Sequence, residues 1–150
     1  GAMAVAGQVL MDRLLGDIDR DTAAFIAVLD AGRVPKATPE EKSIRDAALA
    51  QATRAATAVP LSVLEACGQV LDLAAVAARK GNRNSLSDAG VAALSARAGA
   101  EGAFLNVLIN LPGLPTPERE PLLATARGLV ARARAKSDEL SAEILATLDR

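Results

Sequence analysis

From Ala4 to Ala31, Val9, Leu10, Leu14, Ile18, Phe25, Val28 and Leu29 recur along one face of a helix, the period that marks an amphipathic α-helix. Gly32 is placed to end that helix as a C-cap glycine, and Pro35 forbids its continuation. The next start is Thr38-Pro39-Glu40-Glu41, with an N-cap threonine, a proline at the first helical position and a glutamate able to close a capping box. This second helix is expected to run to about Ala58. Pro60 then interrupts an apolar pattern that reads as helix on both sides. Val59-Pro60-Leu61 offers no polar turn residue, so a kink or a very short break is expected there. The limb beyond it ends at Lys80, with Arg79 and Lys80 in its last turn and Gly81 just past it.

Ser85 or Ser87 is expected to cap the next helix, with Asp88 in its first turn. That helix extends to about Leu111, where Pro112-Gly113 stops it. Thr116-Pro117-Glu118 repeats the start seen at Thr38, and a last helix runs to the C-terminus with Pro121 in its first turn or so. No strand alternation, internal repeat or low-complexity segment is visible. The pattern predicts an all-α bundle of about five long helices joined by short loops, in one domain spanning residues 1–150.

Composition sharpens that picture. Of the 150 residues 51% are hydrophobic but only 1% aromatic, so Ala, Leu and Val must fill the core, which favours helices packed at short range. Lys and Arg total 17 against 18 Asp and Glu. Without a basic excess or stacking aromatics, a nucleic-acid partner is not expected. No unbroken apolar run approaches the roughly 18–20 residues of a membrane span, and no secretory leader is visible; a cytoplasmic protein is the expectation. The single Cys67 excludes an internal disulfide and reads as a small buried residue. With no histidine, a Ser-His-Asp or Cys-His nucleophile is excluded, as is a Cys/His metal cluster. Acid–base chemistry must then come from Asp, Glu, Lys, Ser or water.

The polar residues concentrate in two places. Gly81-Asn82-Arg83-Asn84-Ser85-Leu86-Ser87-Asp88-Ala89-Gly90-Val91-Ala92 packs a helix stop, a polar loop and a helix start into twelve positions, and makes Asn82, Asn84, Ser87 and Asp88 candidates for a site. Projected at about 100° per residue, Asp88, Ala92, Ser95, Gly99, Gly102, Asn106 and Asn110 fall in one narrow stripe of the following helix. Small residues there allow close approach. Either another helix occupies that approach, with the amides satisfied by backbone, or a ligand does. Lys36, between Pro35 and the Thr38 cap, is a solvated loop charge or an anion-binding, proton-transferring lysine. Arg45 is a surface ion-pair partner or a carboxylate clamp.

Four blocks occur in a telling order: Val34-Pro35-Lys36-Ala37-Thr38-Pro39-Glu40-Glu41-Lys42, then Ala56-Thr57-Ala58-Val59-Pro60-Leu61, then Gly81-Asn82 to Val91-Ala92, then Gly102-Ala103-Phe104-Leu105-Asn106-Val107-Leu108-Ile109-Asn110-Leu111. Together they resemble the cyclodeaminase/cyclohydrolase family, which comprises the C-terminal domain of formiminotransferase-cyclodeaminase and the bacterial methenyltetrahydrofolate cyclohydrolases. The resemblance runs from about Leu14 to the C-terminus. It implies an all-helical homodimer that hydrolyses methenyltetrahydrofolate to formyltetrahydrofolate, with a folate substrate and no metal or redox cofactor. In that reading Asp88 steadies the cationic one-carbon bridge and accepts a proton. Asn106 and Asn110 orient the pterin or the water, and Lys36 holds the glutamate tail or shuttles a proton. The alternatives are a formiminotetrahydrofolate cyclodeaminase, which releases ammonia, and a non-catalytic helical dimer that binds folate or a partner protein. The family's opening Pro-Gly-Gly-Gly-Ser segment has no counterpart here, and inactivity is expected if that segment shapes the pocket. Gly1-Ala2-Met3 is either a cloning remainder or part of the Ala-rich helix that follows the segment.

Overall fold

The computed structural model describes residues 1–149. Four long helices make up the chain: α1 (Ala2–Arg33), α2 (Pro39–Lys80), α3 (Leu86–Asn110) and α4 (Thr116–Leu148). Short 3-10 turns at Arg83–Ser85 and Leu111–Gly113 lead into α3 and α4. The all-α class is as expected. The helix number is not: Pro60 neither breaks nor ends α2, which is continuous over 42 residues.

The reason lies in one hydrogen bond. Pro60 has no N–H, so the carbonyl of Ala56, four residues earlier, loses its helical donor. Asn110 at the end of α3 supplies a replacement, its Nδ2 donating to Ala56 O at 3.0 Å. Both Ala56 and Pro60 are buried, where an unpaired carbonyl is costly. The amide therefore lets a proline-containing helix pass unbroken through the middle of the bundle.

The termini show which start signals were complete. At Thr38 the capping box forms: Thr38 Oγ1 accepts from Glu41 N at 3.1 Å, and Glu41 Oε2 accepts from Thr38 N at 3.2 Å. At Thr116 it does not. Thr116 is already helical, with Pro115 in the cap position. The residue three beyond Thr116 is Arg119 rather than a glutamate, so no box can close. Arg119 instead folds back, donating to Leu114 O at 2.8 Å and Pro112 O at 2.9 Å. Ser85 occupies the cap position of α3 without a side-chain bond, and Ser87 lies inside the helix. Gly32 is also inside its helix, since α1 continues to Arg33. Gly81 does follow α2, in extended backbone. It must be glycine for a steric reason: a Cβ there would stand 2.3 Å from Ala77 O.

The core belongs to α2, α3 and α4, built around Leu64, Leu71, Val107, Leu114, Val130 and Leu140. Helix α3 buries its small residues, Ala89, Ala93, Ala96, Ala100 and Ala103, and turns Val91, Leu94, Leu105 and Ile109 outward. Ion pairs flank α4 on both sides. Arg54 with Glu118 and Arg79 with Glu143 tie it to α2, and Arg134 with Glu101 ties it to α3. Helix α1 packs on α2 alone and touches neither α3 nor α4. It buries only Leu10, Asp17, Ala24 and Ala31, one residue in every seven. The predicted apolar face of α1 is thus wider than the seam it covers, and Val9, Ile18, Phe25 and Leu29 remain exposed. By length and composition α2 alone is apolar enough to cross a membrane, contrary to the reading of the sequence; here it is the helix against which the other three pack.

Two outcomes follow for stability. Asn110→Ala should destabilise the chain by about 1–3 kcal/mol, the cost of an orphaned buried acceptor. In a Pro60→Ala background that loss should shrink, because the new N–H serves Ala56; urea melts of the four proteins measure the coupling. The Arg134, Arg54 and Arg79 hydrogen bonds hold Glu101, Glu118 and Glu143 below the ordinary value of 4.5. Their contribution is complete above that value and is lost as pH falls through the lowered folded values. The thermal midpoint should therefore hold steady at neutral pH and drop below about pH 4.5, less steeply in high salt.

Candidate functional site

Because α1 leans on α2 and never reaches α3, an open trough separates α1 from α3, with α2 as its floor. The trough has two sections that share Leu14. The section beside the start of α1 has a volume of 550 Å³ and is almost wholly apolar, with Leu10, Met11, Leu73 and Ala77 among its walls and Ser85 and Asp88 at its edge. The other section, of 460 Å³, is mixed. Ile18, Val59, Pro60 and Val63 form its apolar sides, Gly102 opens its α3 wall beside Gly99, and Asp17, Asp21, Thr22 and Asn106 bring polar groups into it.

Asp17 is the unusual group here. It occupies the α1–α2 seam in register with Leu10 and Ala24 and is only 2% exposed. Ser62 on α2 donates to its Oδ2 at 3.2 Å. Ser62 is held in turn by Arg13, whose Nη2 donates to Ser62 Oγ at 2.8 Å and to its carbonyl at 3.0 Å. The second oxygen of Asp17, Oδ1, is buried and is met by the guanidinium of Arg20 as an ion pair. Buried carboxylates carry a large desolvation cost unless charge and donors surround them, and here Ser62 and Arg20 supply them. Asp21, one turn further along α1, is exposed.

The residues singled out from the sequence scatter. Asn106 lines the mixed section. Asp88 lies at the edge of the apolar one, eighteen residues from Asn106 on the same helix. At about 1.5 Å rise per residue that is about 27 Å, too far for both to serve one reacting carbon. Asn110 is engaged with Ala56. Asn82 Oδ1 accepts from Asn84 N at 3.0 Å and shapes the turn before α3, while Asn84 and Ser87 are exposed and line neither section. Lys36 is exposed in the α1–α2 loop. Arg45 donates from Nε to Gly32 O at 3.2 Å and so closes the end of α1. Asp17, Asp21 and Thr22 escaped the sequence reading. The available signal was a carboxylate in the seven-residue register of Leu10, Ala24 and Ala31, where an apolar residue belongs.

Fold and site together define a helical bundle with a ligand-sized trough between α1 and α3 and, in a chain without histidine, no nucleophile–histidine pair. The sequence profile of the formiminotransferase-cyclodeaminase family matches residues 2–125, and the chain belongs to that family. Among its relatives is a methenyltetrahydrofolate cyclohydrolase of Methylorubrum extorquens, 45% identical over 128 residues, which cover 85% of this chain and 62% of the relative. The formimidoyltransferase-cyclodeaminase of Mus musculus is 45% identical over 94 residues, 63% of this chain and 17% of that protein. The protein of the same name from Gallus gallus is 31% identical over 140 residues, 93% of this chain and 25% of its own length. The chain thus spans less than two thirds of each of these relatives.

Proposed function

We propose that this chain hydrolyses methenyltetrahydrofolate to formyltetrahydrofolate. The observation that carries the reading is the mixed section of the trough, an apolar slot that holds two carboxylates and an amide. Its 460 Å³ lies within the roughly 300–1,000 Å³ of small-molecule sites. The similarity to a cyclohydrolase over most of the chain supports it.

The substrate carries one positive charge spread over the N5–C–N10 bridge. Carboxylates in a largely apolar slot favour that charge and the electron-poor carbon that water must reach. Asp21 faces the slot from an exposed position, where it can accept a proton from the attacking water and return it to solvent. Asn106, across the slot on α3, orients that water. The tetrahedral adduct then collapses with cleavage of the C–N5 bond, N5 takes a proton, and one proton is released overall. Water and proton transfer are sufficient, and no cofactor enters the balance. A formiminotetrahydrofolate cyclodeaminase is the second reading, favoured by the 45% identity to the mouse protein; it would release ammonia from the formimino substrate.

We further propose a homodimer. The outward side of α3 carries Leu105 at 64% and Ile109 at 77% exposure, and uncovered apolar patches of this kind mark interfaces.

Loss of methenyltetrahydrofolate absorbance above the spontaneous rate tests the activity, and ammonia release from the formimino substrate tests the second reading. Asp21→Asn should lower kcat by about a hundredfold to ten-thousandfold, the range for a general base, whereas Asp88→Asn should stay near the parent rate. The opposite result would move the chemistry to the apolar section. An added Cβ at Gly102 meets nothing within 4 Å. Gly102→Leu should therefore block the slot while keeping or raising the thermal midpoint, since helix-interior glycine costs about 0.8–1.0 kcal/mol against alanine. For association, sedimentation should give twice the 15.3 kDa chain mass, and Ile109→Lys should give a helical monomer.

A further inference from the structure

We propose that the second copy of the dimer lays its α1 antiparallel along α1 of the first, and that its Lys36 supplies the cation that the trough lacks for the anionic tail of the substrate. This rests on the homodimer and cyclohydrolase readings above. It adds to them the helix faces that meet and a residue that each site receives from the other copy.

Helix α1 carries two seams. Leu10, Asp17, Ala24 and Ala31 face α2. About 120° round the helix, at 100° per residue, Met11, Leu15, Ile18, Thr22, Phe25 and Leu29 form a second stripe. Its spacings alternate between four and three, the pattern of a helix that packs along another helix. Yet its apolar side chains are 45% to 62% exposed. The far half of α1 also lacks support. Beyond Ala24 it buries only Ala31, and α2 buries nothing before Ala52. The two helices therefore project as an arm of about 20 Å, at 1.5 Å per residue, past the level where Thr53 meets Gly113 and Arg54 meets Glu118. A two-fold axis at the level of Ala23 and Ala24 lays each arm beside the bundle of the other copy.

Charge fixes the direction and the register. Asp12 and Asp19 flank the second stripe toward one end and Arg33 toward the other. Neither aspartate has an ion-pair partner among the described residues, and Arg33 pairs with Asp30 of its own helix in full solvent. Antiparallel pairing of Ile18 with Leu29, and of Thr22 with Phe25, brings Arg33 of the second copy beside Asp12 and seats Leu15 on its Gly32. Sliding the second copy by one heptad sets Asp19 against its own counterpart in one direction. In the other direction it leaves Met11 and Leu15 without partners. The exposed patch of α3 fits the same axis. Asp17 meets Ser62 and Asn110 meets Ala56, so Ile109 and Asn110 stand level with Thr22 and Ala23.

This register carries Lys36 of the second copy, just past the end of its α1, over Met11, a wall of the apolar section. A cation is what the trough lacks. The charged residues that line its two sections are Asp17, Asp21 and Asp88, with no lysine or arginine. They suit the cationic bridge of the substrate and oppose the glutamate carboxylates at its other end. With the bridge at Asp21 and Asn106, the tail runs along α1 toward Met11, about 15 Å away at 1.5 Å per residue, and ends beneath that lysine. Lys36 is exposed and has no ion-pair partner among the described residues.

Cross-linking tests the pairing. Ile18→Cys/Leu29→Cys should oxidise to a covalent dimer, whereas Ile18→Cys and Leu29→Cys singly should not, because each stands about 16 Å from its own counterpart at 1.5 Å per residue. Cross-linking of the single variants, or none in the double variant, overturns the antiparallel pairing. Calorimetry tests the lysine: the parent should prefer 5-formyltetrahydrofolate to 5-formyltetrahydropteroate, which lacks the glutamate, by about tenfold, as for a charge-assisted hydrogen bond. Lys36→Ala should lose that preference. A dimer of one Lys36→Ala and one Asp21→Asn chain, purified through two tags, then shows which copy the lysine serves. One of its two sites holds both residues if the lysine crosses over, so kcat/KM should be about half that of the parent, against about a twentieth if it serves its own copy. The lower value, or an unchanged preference in Lys36→Ala, overturns the role of Lys36. Failure to recover a mixed dimer overturns the whole proposal. A parent that neither binds nor hydrolyses overturns the cyclohydrolase reading and the role of Lys36 with it, while the cross-links still decide how the helices pair.

Discussion

The bundle hangs on α2, and α2 is unbroken because one side-chain amide replaces a donor that proline cannot supply. All three other helices pack on it. Were the chain to turn at Pro60, α1 would lose half of its support and the trough its floor. Asn110 prevents that from the far end of α3, so the helix that closes the core also repairs the helix that carries the site. Pro60 is itself a wall of the mixed section. The same residue thus threatens the helix and shapes the slot, and the buried hydrogen bond at Ala56 makes both possible.

A second constraint is the size of the side chains. Without aromatic bulk, α3 reaches α2 and α4 through alanine, and Gly99 lies so close to α2 that a Cβ would stand 3.1 Å from Cys67 Sγ. Small residues bring helix axes together, but an alanine face leaves the larger aliphatics of the same helix pointing away. Exposed leucine and isoleucine on α3 are the geometric consequence. So is the trough: α1 is held by a seam one residue wide, which fixes its direction without pressing it against α3.

Much of this was legible in the sequence. The helical period, the Thr38 capping box, the stops at Gly81 and Pro112 and the short connections follow from local chemistry, since capping and turn residues act over three or four positions. The failure at Thr116 was legible too, because Arg119 stands where a box needs glutamate. For the site, the stripe on α3 was correctly projected as one face, and Asn106 stands in the trough. A projection carries no length scale, however. Asp88 and Asn106 share an azimuth yet are separated by five turns of helix.

What the sequence by itself determined is the all-helical class, most of the helix ends, and the family through its ordered blocks. The tertiary structure alone decided three things. It decided that Pro60 stays inside a helix, because the rescuing donor lies 50 residues further along the chain. It decided which apolar residues are core, because α3 has apolar residues on opposite faces and only its neighbours choose between them. It also singled out Asp17 among the acidic residues of α1, because its burial and the Ser62 hydrogen bond are properties of a seam between two helices. Local chemistry writes helices and their ends, whereas a site is made where distant segments meet, and that meeting depends on packing that no single segment encodes.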